Sequence, residues 1–139
     1  MFYSLPRAWR ERNGHYLLKA TKCLDCGKTL FPASNVCRAC GSRNITSVNL
    51  VDEDARLLSW TAIYSPPSGL SHQKPLLIGL LETINSKVKL ISRLTDVLPE
   101  ELSENMVMEP VLRRVSEAGD YGIINYGIAY RPKLGSRQI

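Results

Sequence analysis

Two copies of one five-residue pattern decide most of what this chain can fold into. Cys23-Leu24-Asp25-Cys26-Gly27 and Cys37-Arg38-Ala39-Cys40-Gly41 both read C-x-x-C-G, with ten residues between the inner cysteines. A turn of this kind brings two sulfurs to one ion from the same side while backbone N–H groups point at them, and the glycine that follows supplies the positive φ the turn needs. The alternative is a pair of disulfides or idle thiols. The N-terminal stretch MFYSLPRAWRER has neither the apolar core nor the small-residue cleavage site of a secretory signal. It therefore reads as cytoplasmic, where thiols stay reduced and disulfides are disfavoured. Four thiolates in this spacing predict a structural zinc site of Cys23, Cys26, Cys37 and Cys40 with no coordination position left for water, although the same ligands also take iron.

Metal binding changes the charge balance. Residues 1–47 carry eight basic side chains against two acids, net +6, and residues 48–139 carry ten against eleven, net −1. Four thiolates and one Zn²⁺ add −2, so Lys22, Lys28, Arg38 and Arg43 are read as partly neutralising the metal site. The remaining basic excess attracts phosphates without choosing among nucleic acid, nucleotide cofactor or membrane surface. The longest apolar run, Pro75–Leu81, is far too short for a transmembrane helix.

At 139 residues with 44% hydrophobic and 22% charged side chains, one self-sufficient core fits, and a second, smaller module needs its own staple. Ser4 followed by Pro6 predicts a helix start, with Ser4 as N-cap, and Asn13-Gly14 predicts its stop. Five strands are expected at Arg56–Tyr64, Leu76–Ile84, Lys87–Leu94, Val107–Val115 and Ile123–Tyr130. Leu58, Trp60, Ala62 and Tyr64 alternate on one face of the first, and Ile124, Tyr126, Ile128 and Tyr130 on one face of the last, which makes both stripes core. Asn85-Ser86 signals a tight hairpin, and Thr95–Asn105 a loop with a helical turn near Pro99. Five short strands with that insertion suggest a Greek-key barrel of the OB type, a string that a five-stranded sandwich shares.

The segments LPRAWRER, YLLKATKCLDCGKTLFPASNVCRACGS, LLSWTAIYSPPSG and IINYGIAYRP, in that order, span nearly the whole chain. They resemble a family of small acyl-CoA-associated proteins whose archaeal members accompany acetoacetyl-CoA thiolase and hydroxymethylglutaryl-CoA synthase. The resemblance implies a mainly β protein: an N-terminal helix (1–14), a rubredoxin-like zinc ribbon (15–47) and a C-terminal five-stranded OB-fold barrel (48–139). It also implies a non-catalytic scaffold that bridges the two enzymes and helps bind or channel acyl-CoA. On that reading Arg7, Arg10 and Arg12 of the helix contact the partner enzymes or CoA, as do Tyr64, Pro66, Pro67, His72 and Lys74 around the connection after the first strand. The chain departs from the family pattern at Ala33-Ser34, where many relatives carry a further proline, and at Glu104-Asn105-Met106, where they usually have Gly-Met. Asn tolerates the left-handed backbone that glycine favours, so the second turn is expected to survive.

Other features carry less. Ser65–Pro75 is longer than a hairpin requires and borders the usual binding surface of an OB-fold, but it also fits a solvated loop. Lys87, Lys89 and Arg93 line one face of the third strand, more in keeping with a wet sheet face than with phosphate binding, and Arg113 and Arg114 are weaker still. Trp60, Tyr126 and Tyr130 read as core rather than as base-stacking platforms. Asp52-Glu53-Asp54 reads as a solvated turn. Leu76–Leu81, apolar on both faces, fits either a doubly buried central strand or an edge that faces a partner. No nucleophile stands in an activating motif near His15 or His72, so no enzyme activity is expected. The rival to the scaffold is a module that binds single-stranded nucleic acid.

Overall fold

The computed structural model describes residues 4–70, 72–117 and 122–135. Residues 1–3 of the expected helical segment, Ser71 of the connection, and 118–121 and 136–139 of the expected barrel region lie outside the described residues. The chain divides into two compact units, one running to Asp52 and including Ser86–Val88, the other comprising Glu53–Asn85 and the chain from Lys89 onward.

The first unit opens with helix α1 (Leu5–Leu17), followed by strands β1 (Lys19–Cys23), β2 (Thr29–Leu30) and β3 (Ile45–Asn49) in one antiparallel sheet of order β2-β1-β3. The helix begins where expected, but Ser4 makes no side-chain capping bond, and Asn13-Gly14 does not stop it. Glu11 pairs with Arg7 (3.0 Å) and faces His15 (3.8 Å), one turn away in each direction. It ends at Leu18, whose left-handed backbone (φ 48°) returns its N–H to Gly14 O. The expected strands did not include the three of this sheet, because β2 is too short for an alternation and the cysteine turns interrupt the others. Ala20, Cys23, Cys37, Leu50 and Val88 are the unit's buried apolar side chains, and two of those five are cysteines of the C-x-x-C turns.

The second unit is a closed barrel of β4 (Ala55–Ile63), β5 (Leu76–Thr83), β6 (Lys89–Leu94), β7 (Val107–Glu117) and β8 (Ile124–Pro132) in the order β4-β5-β6-β8-β7. Four of its five pairings are antiparallel; β6 meets β8 in parallel at Leu94↔Tyr130, which closes the Greek key. A five-stranded sandwich is thereby ruled out. A 3-10 turn at Pro99–Glu101 lies between β6 and β7, and Asn105 takes the left-handed conformation (φ 63°) expected of it. There its N–H donates to Leu57 O (2.8 Å), while Leu57 N–H donates to Met106 O (2.9 Å), lashing that loop to β4.

Both expected core stripes need correction. A β-bulge between Leu57 and Ser59 sets Leu57, opposite Leu81, in the core, with Leu58 as the extra residue; Trp60 and Ala62 are half-buried, and Tyr64 is 70% exposed. On β8 only Tyr130 of the expected stripe is fully buried; Ile124 and Tyr126 are exposed. The buried centre is Leu57, Leu81, Met108 and Tyr130, lined by Leu77, Leu90 and Leu94. Gly79 faces this centre, and a Cβ there would come within 2.9 Å of methyls of Leu57 and Leu94. The Asn85-Ser86 hairpin is wider than two residues, since Glu82 pairs with Lys89 and Lys87 is left-handed (φ 54°). Leu76–Leu81 belongs to a central strand flanked by β4 and β6, with Leu76, Leu77 and Leu81 buried.

Candidate functional site

The two cysteine turns repeat each other bond for bond. Cys23 N–H donates to Lys28 O (2.9 Å) and Gly27 N–H to Cys23 O (3.1 Å); Cys37 N–H donates to Ser42 O (2.9 Å) and Gly41 N–H to Cys37 O (2.8 Å). Gly27 (φ 73°) and Gly41 (φ 75°) are left-handed, with open space where a Cβ would stand, so backbone conformation alone asks for glycine at both. The Asp25 carboxylate ties the first turn to the chain after the second, accepting hydrogen bonds from Ser42 Oγ and from Asn44 Nδ2 (3.1 Å). Those two bonds hold its pKa below the usual carboxylate range.

All four sulfurs lie within 4.8 Å of one another, with Cys23 and Cys40 Sγ 3.6 Å apart and Cys26 and Cys37 Sγ 3.7 Å apart. Zinc bonded to four sulfurs at about 2.3 Å makes a tetrahedron with edges of about 3.8 Å, so the donor set fits that ion. Backbone N–H groups of Cys40 and Ala39 hold the Cys37 thiol down to about 6, and that of Cys26 lowers Cys23. Cys40 is pushed up to about 12: the Ser42 N–H favours its thiolate, but the sulfur of Cys23, burial and the sulfur of Cys37 outweigh that. Left to themselves the sulfurs cannot all ionise, and a divalent cation among them reverses the balance. Bound there, zinc cross-links the two turns and leaves no ligand position open. Of the basic neighbours, Arg38 donates to Pro32 O (3.1 Å).

A second candidate lies in the barrel. A cavity of about 340 Å³ sits between the start of β5, the end of β6 with the following Thr95–Val97, and β7. His72, Gln73, Arg93, Asp96, Arg113 and Arg114 supply its polar wall, and Leu76, Leu77, Leu94 and Val97 apolar surface. Arg113 donates to Asp96 Oδ2 (2.6 Å), Arg131 lies 3.8 Å from the same oxygen, and Arg114 pairs with Glu117. Arg93 instead donates to two neutral acceptors, Gln73 Oε1 (2.7 Å) and Arg114 O (3.2 Å), and Gln73 Nε2 lies 3.1 Å from His72 Nε2.

The residues singled out from sequence separate accordingly. The four cysteines converge. His72 lines the cavity; Tyr64, Pro66, Pro67 and Lys74 share its connection without lining it. Arg7, Arg10 and Arg12 lie on α1, where Arg10 donates to Pro6 O and Arg12 stacks 4.0 Å over the Trp9 ring. Arg93 does not belong to a wet sheet face but turns to this wall, half-buried, and Arg113 and Arg114 join it. Asp54 pairs with Lys133 and Glu53 accepts the Asn85 N–H, so those two serve as structural joints, while Asp52 is exposed as expected. Gln73 and Asp96 were not foreseen, since nothing local in the sequence ties them to Arg93 or Arg113.

Known proteins share this combination of ribbon and barrel. Residues 15–46 match the family model described as the ChsH2 rubredoxin-like zinc ribbon domain, and residues 49–113 the one described as the ChsH2 C-terminal OB-fold domain. A DUF35 domain-containing scaffold protein of Pyrococcus furiosus is 37% identical over 132 residues, 95% of each chain. Its namesake from Methanothermobacter thermautotrophicus is 28% identical over 133 residues, 96% of this chain and 99% of the relative. Among solved structures, a chain of the Ltp2-ChsH2(DUF35) aldolase superposes with a TM-score of 0.64 at 19% identity, covering 91% of this chain and 89% of its own. A DUF35-family protein of unknown function from Sulfolobus solfataricus gives 0.53 at 20% identity, covering 94% and 88%. At those identities the two structures attest the common fold. Among the described residues no helix is long and apolar enough to cross a membrane.

Proposed function

The chain belongs to the ChsH2-type DUF35 family of zinc-ribbon and OB-fold proteins, and from that premise we propose that it is a non-catalytic scaffold subunit. It bridges an acetoacetyl-CoA thiolase and a hydroxymethylglutaryl-CoA synthase and helps bind or channel acyl-CoA between them. The observation that carries the reading is helix α1, thirteen residues that bury no side chain, with Leu5 52% and Trp9 68% exposed. A helix this short is marginal alone in water, and one that leaves Leu5, Trp9 and Tyr16 in solvent is suited to dock on something else. The scaffold naming of relatives that match nearly end to end supports the role. The choice of thiolase and synthase rests on the resemblance in the sequence, as does the assignment of Arg7, Arg10, Arg12, Tyr64, Pro66, Pro67, His72 and Lys74 to partner or CoA contacts. Structural zinc at the four cysteines stiffens the ribbon that carries the helix.

Affinity capture of the tagged full chain from its native host, followed by mass spectrometry and metal analysis of the same eluate, tests the reading. Thiolase and synthase should co-elute with about one zinc per chain, as one tetrahedral site requires. Repeated captures without either enzyme would sink the bridging role. Turnover of acetoacetyl-CoA by the isolated chain would sink its non-catalytic part.

A further inference from the structure

We propose that the barrel cavity is a binding site for a small organic anion, a carboxylate or phosphate whose oxygens pair with Arg93 while its hydrocarbon part lies on Leu77, Leu94 and Val97. This goes beyond the docking role: it gives the barrel a ligand of its own, and every residue it uses lies within the barrel unit.

The argument starts from how the charges are matched. Arg113 has Asp96 and Arg114 has Glu117. Arg93, half-buried between the end of β6 and β7, has no carboxylate within ion-pair distance among the described residues, and both of its acceptors are neutral. Burial and the neighbouring Arg113 cation both disfavour its charge. A guanidinium holds more N–H donors than those two bonds use, in a planar fork that matches a carboxylate or phosphate. Gln73 fixes that fork against the cavity wall, so the site is arranged before anything binds. Buried Leu77 and Leu94 and half-buried Val97 beside it form an apolar floor. The volume, about 340 Å³, falls in the range of small-molecule sites and is too small for a folded partner.

The test titrates the isotope-labelled full chain with inorganic phosphate, butyl phosphate and hexanoate, following backbone amides by NMR. Saturable shifts should centre on His72, Gln73, Thr95 and Arg114, with butyl phosphate binding at least several-fold more tightly than inorganic phosphate because of the apolar floor. Arg93→Gln should weaken binding of butyl phosphate at least tenfold, Arg93→Lys should restore part of it, and Arg43→Gln in the ribbon should leave it unchanged. Shifts that fail to saturate or that centre elsewhere would overturn the proposal, as would wild-type affinity in Arg93→Gln or equal affinity for both phosphates. Should Arg93→Gln not fold, the wild-type titration decides alone. A single-stranded oligonucleotide that displaces butyl phosphate and binds far more tightly would overturn the small-molecule assignment. Enzyme capture by the Arg93→Gln chain is a separate readout, so failure here is distinguishable from failure of the scaffold reading.

Discussion

Asp96 shows how much a single left-handed residue can organise. With φ at 58° it turns its carboxylate toward Arg113 and Arg131, which together with Thr95 hold its pKa below the ordinary value, Arg113 contributing most. Because the folded state lowers that pKa, the stabilisation is present above the unfolded value near 4 and is lost as pH falls through the lower folded value. Asp96→Asn should therefore lower the Tm at neutral pH, with the deficit shrinking toward zero in strong acid; a deficit independent of pH would refute the ion pair as its cause. Gly27→Ala and Gly41→Ala meet open space but keep a left-handed backbone, at a cost of about 1–2 kcal/mol each. Chelator competition should show zinc released more readily from both, with no change in the four-sulfur spectrum of a cobalt-substituted sample. At this scale the cysteine quartet was legible because each pair sits within four residues. The cavity was not, because Gln73, Arg93, Asp96 and Arg113 meet only after the barrel closes.

Among the elements, α1 and β4 depart most from their sequence reading, and for different reasons. Asn13-Gly14 is a sound stop signal by propensity, yet a helical glycine costs only about 1 kcal/mol, and the helix runs one further turn to its left-handed end at Leu18. On β4 the alternation in Leu58, Trp60, Ala62 and Tyr64 is real, but a single extra residue at the bulge hands the core position to Leu57. No periodicity marks a bulge in advance. Leu57→Ala should cost about 2–5 kcal/mol in denaturant unfolding of the barrel, whereas Leu58→Ala should cost clearly less. Trp9 is the converse case. Trp9→Ala should change chain stability by less than about 0.5 kcal/mol, as a surface substitution does, while weakening enzyme capture at least tenfold if α1 is the docking element. Equal capture by Trp9→Ala and wild type would move docking elsewhere.

For the whole molecule, the two units rest on different foundations. The barrel has a full apolar centre around Leu57, Leu81, Met108 and Tyr130, whereas the first unit's buried apolar set is Ala20, Leu50, Val88 and two of its own cysteines. Chelation should therefore unfold residues near 15–47 and leave the barrel largely folded, seen as collapse of the ribbon amides in a proton–nitrogen spectrum with barrel amides in place. A ribbon that keeps its spectrum without metal would contradict this. The mainly β class and the five barrel strands were legible because each strand carries its own local pattern, whereas spacing left barrel and sandwich open until the β6–β8 pairing closed the sheet. The ribbon strands were not, because β2 is only two residues long and the cysteine turns break the alternation of the others. The barrel's hoop is fastened between β6 and β8 at Leu94↔Tyr130, backed by the Thr95 N–H on Tyr130 O, and Arg93 lies next to that clasp. Solvent deuterium should enter first at Thr95 and later at the long-laced Leu80 and Leu81. Whatever seats itself on Arg93 will act as a latch, slowing that breach and tightening the entire cask around it.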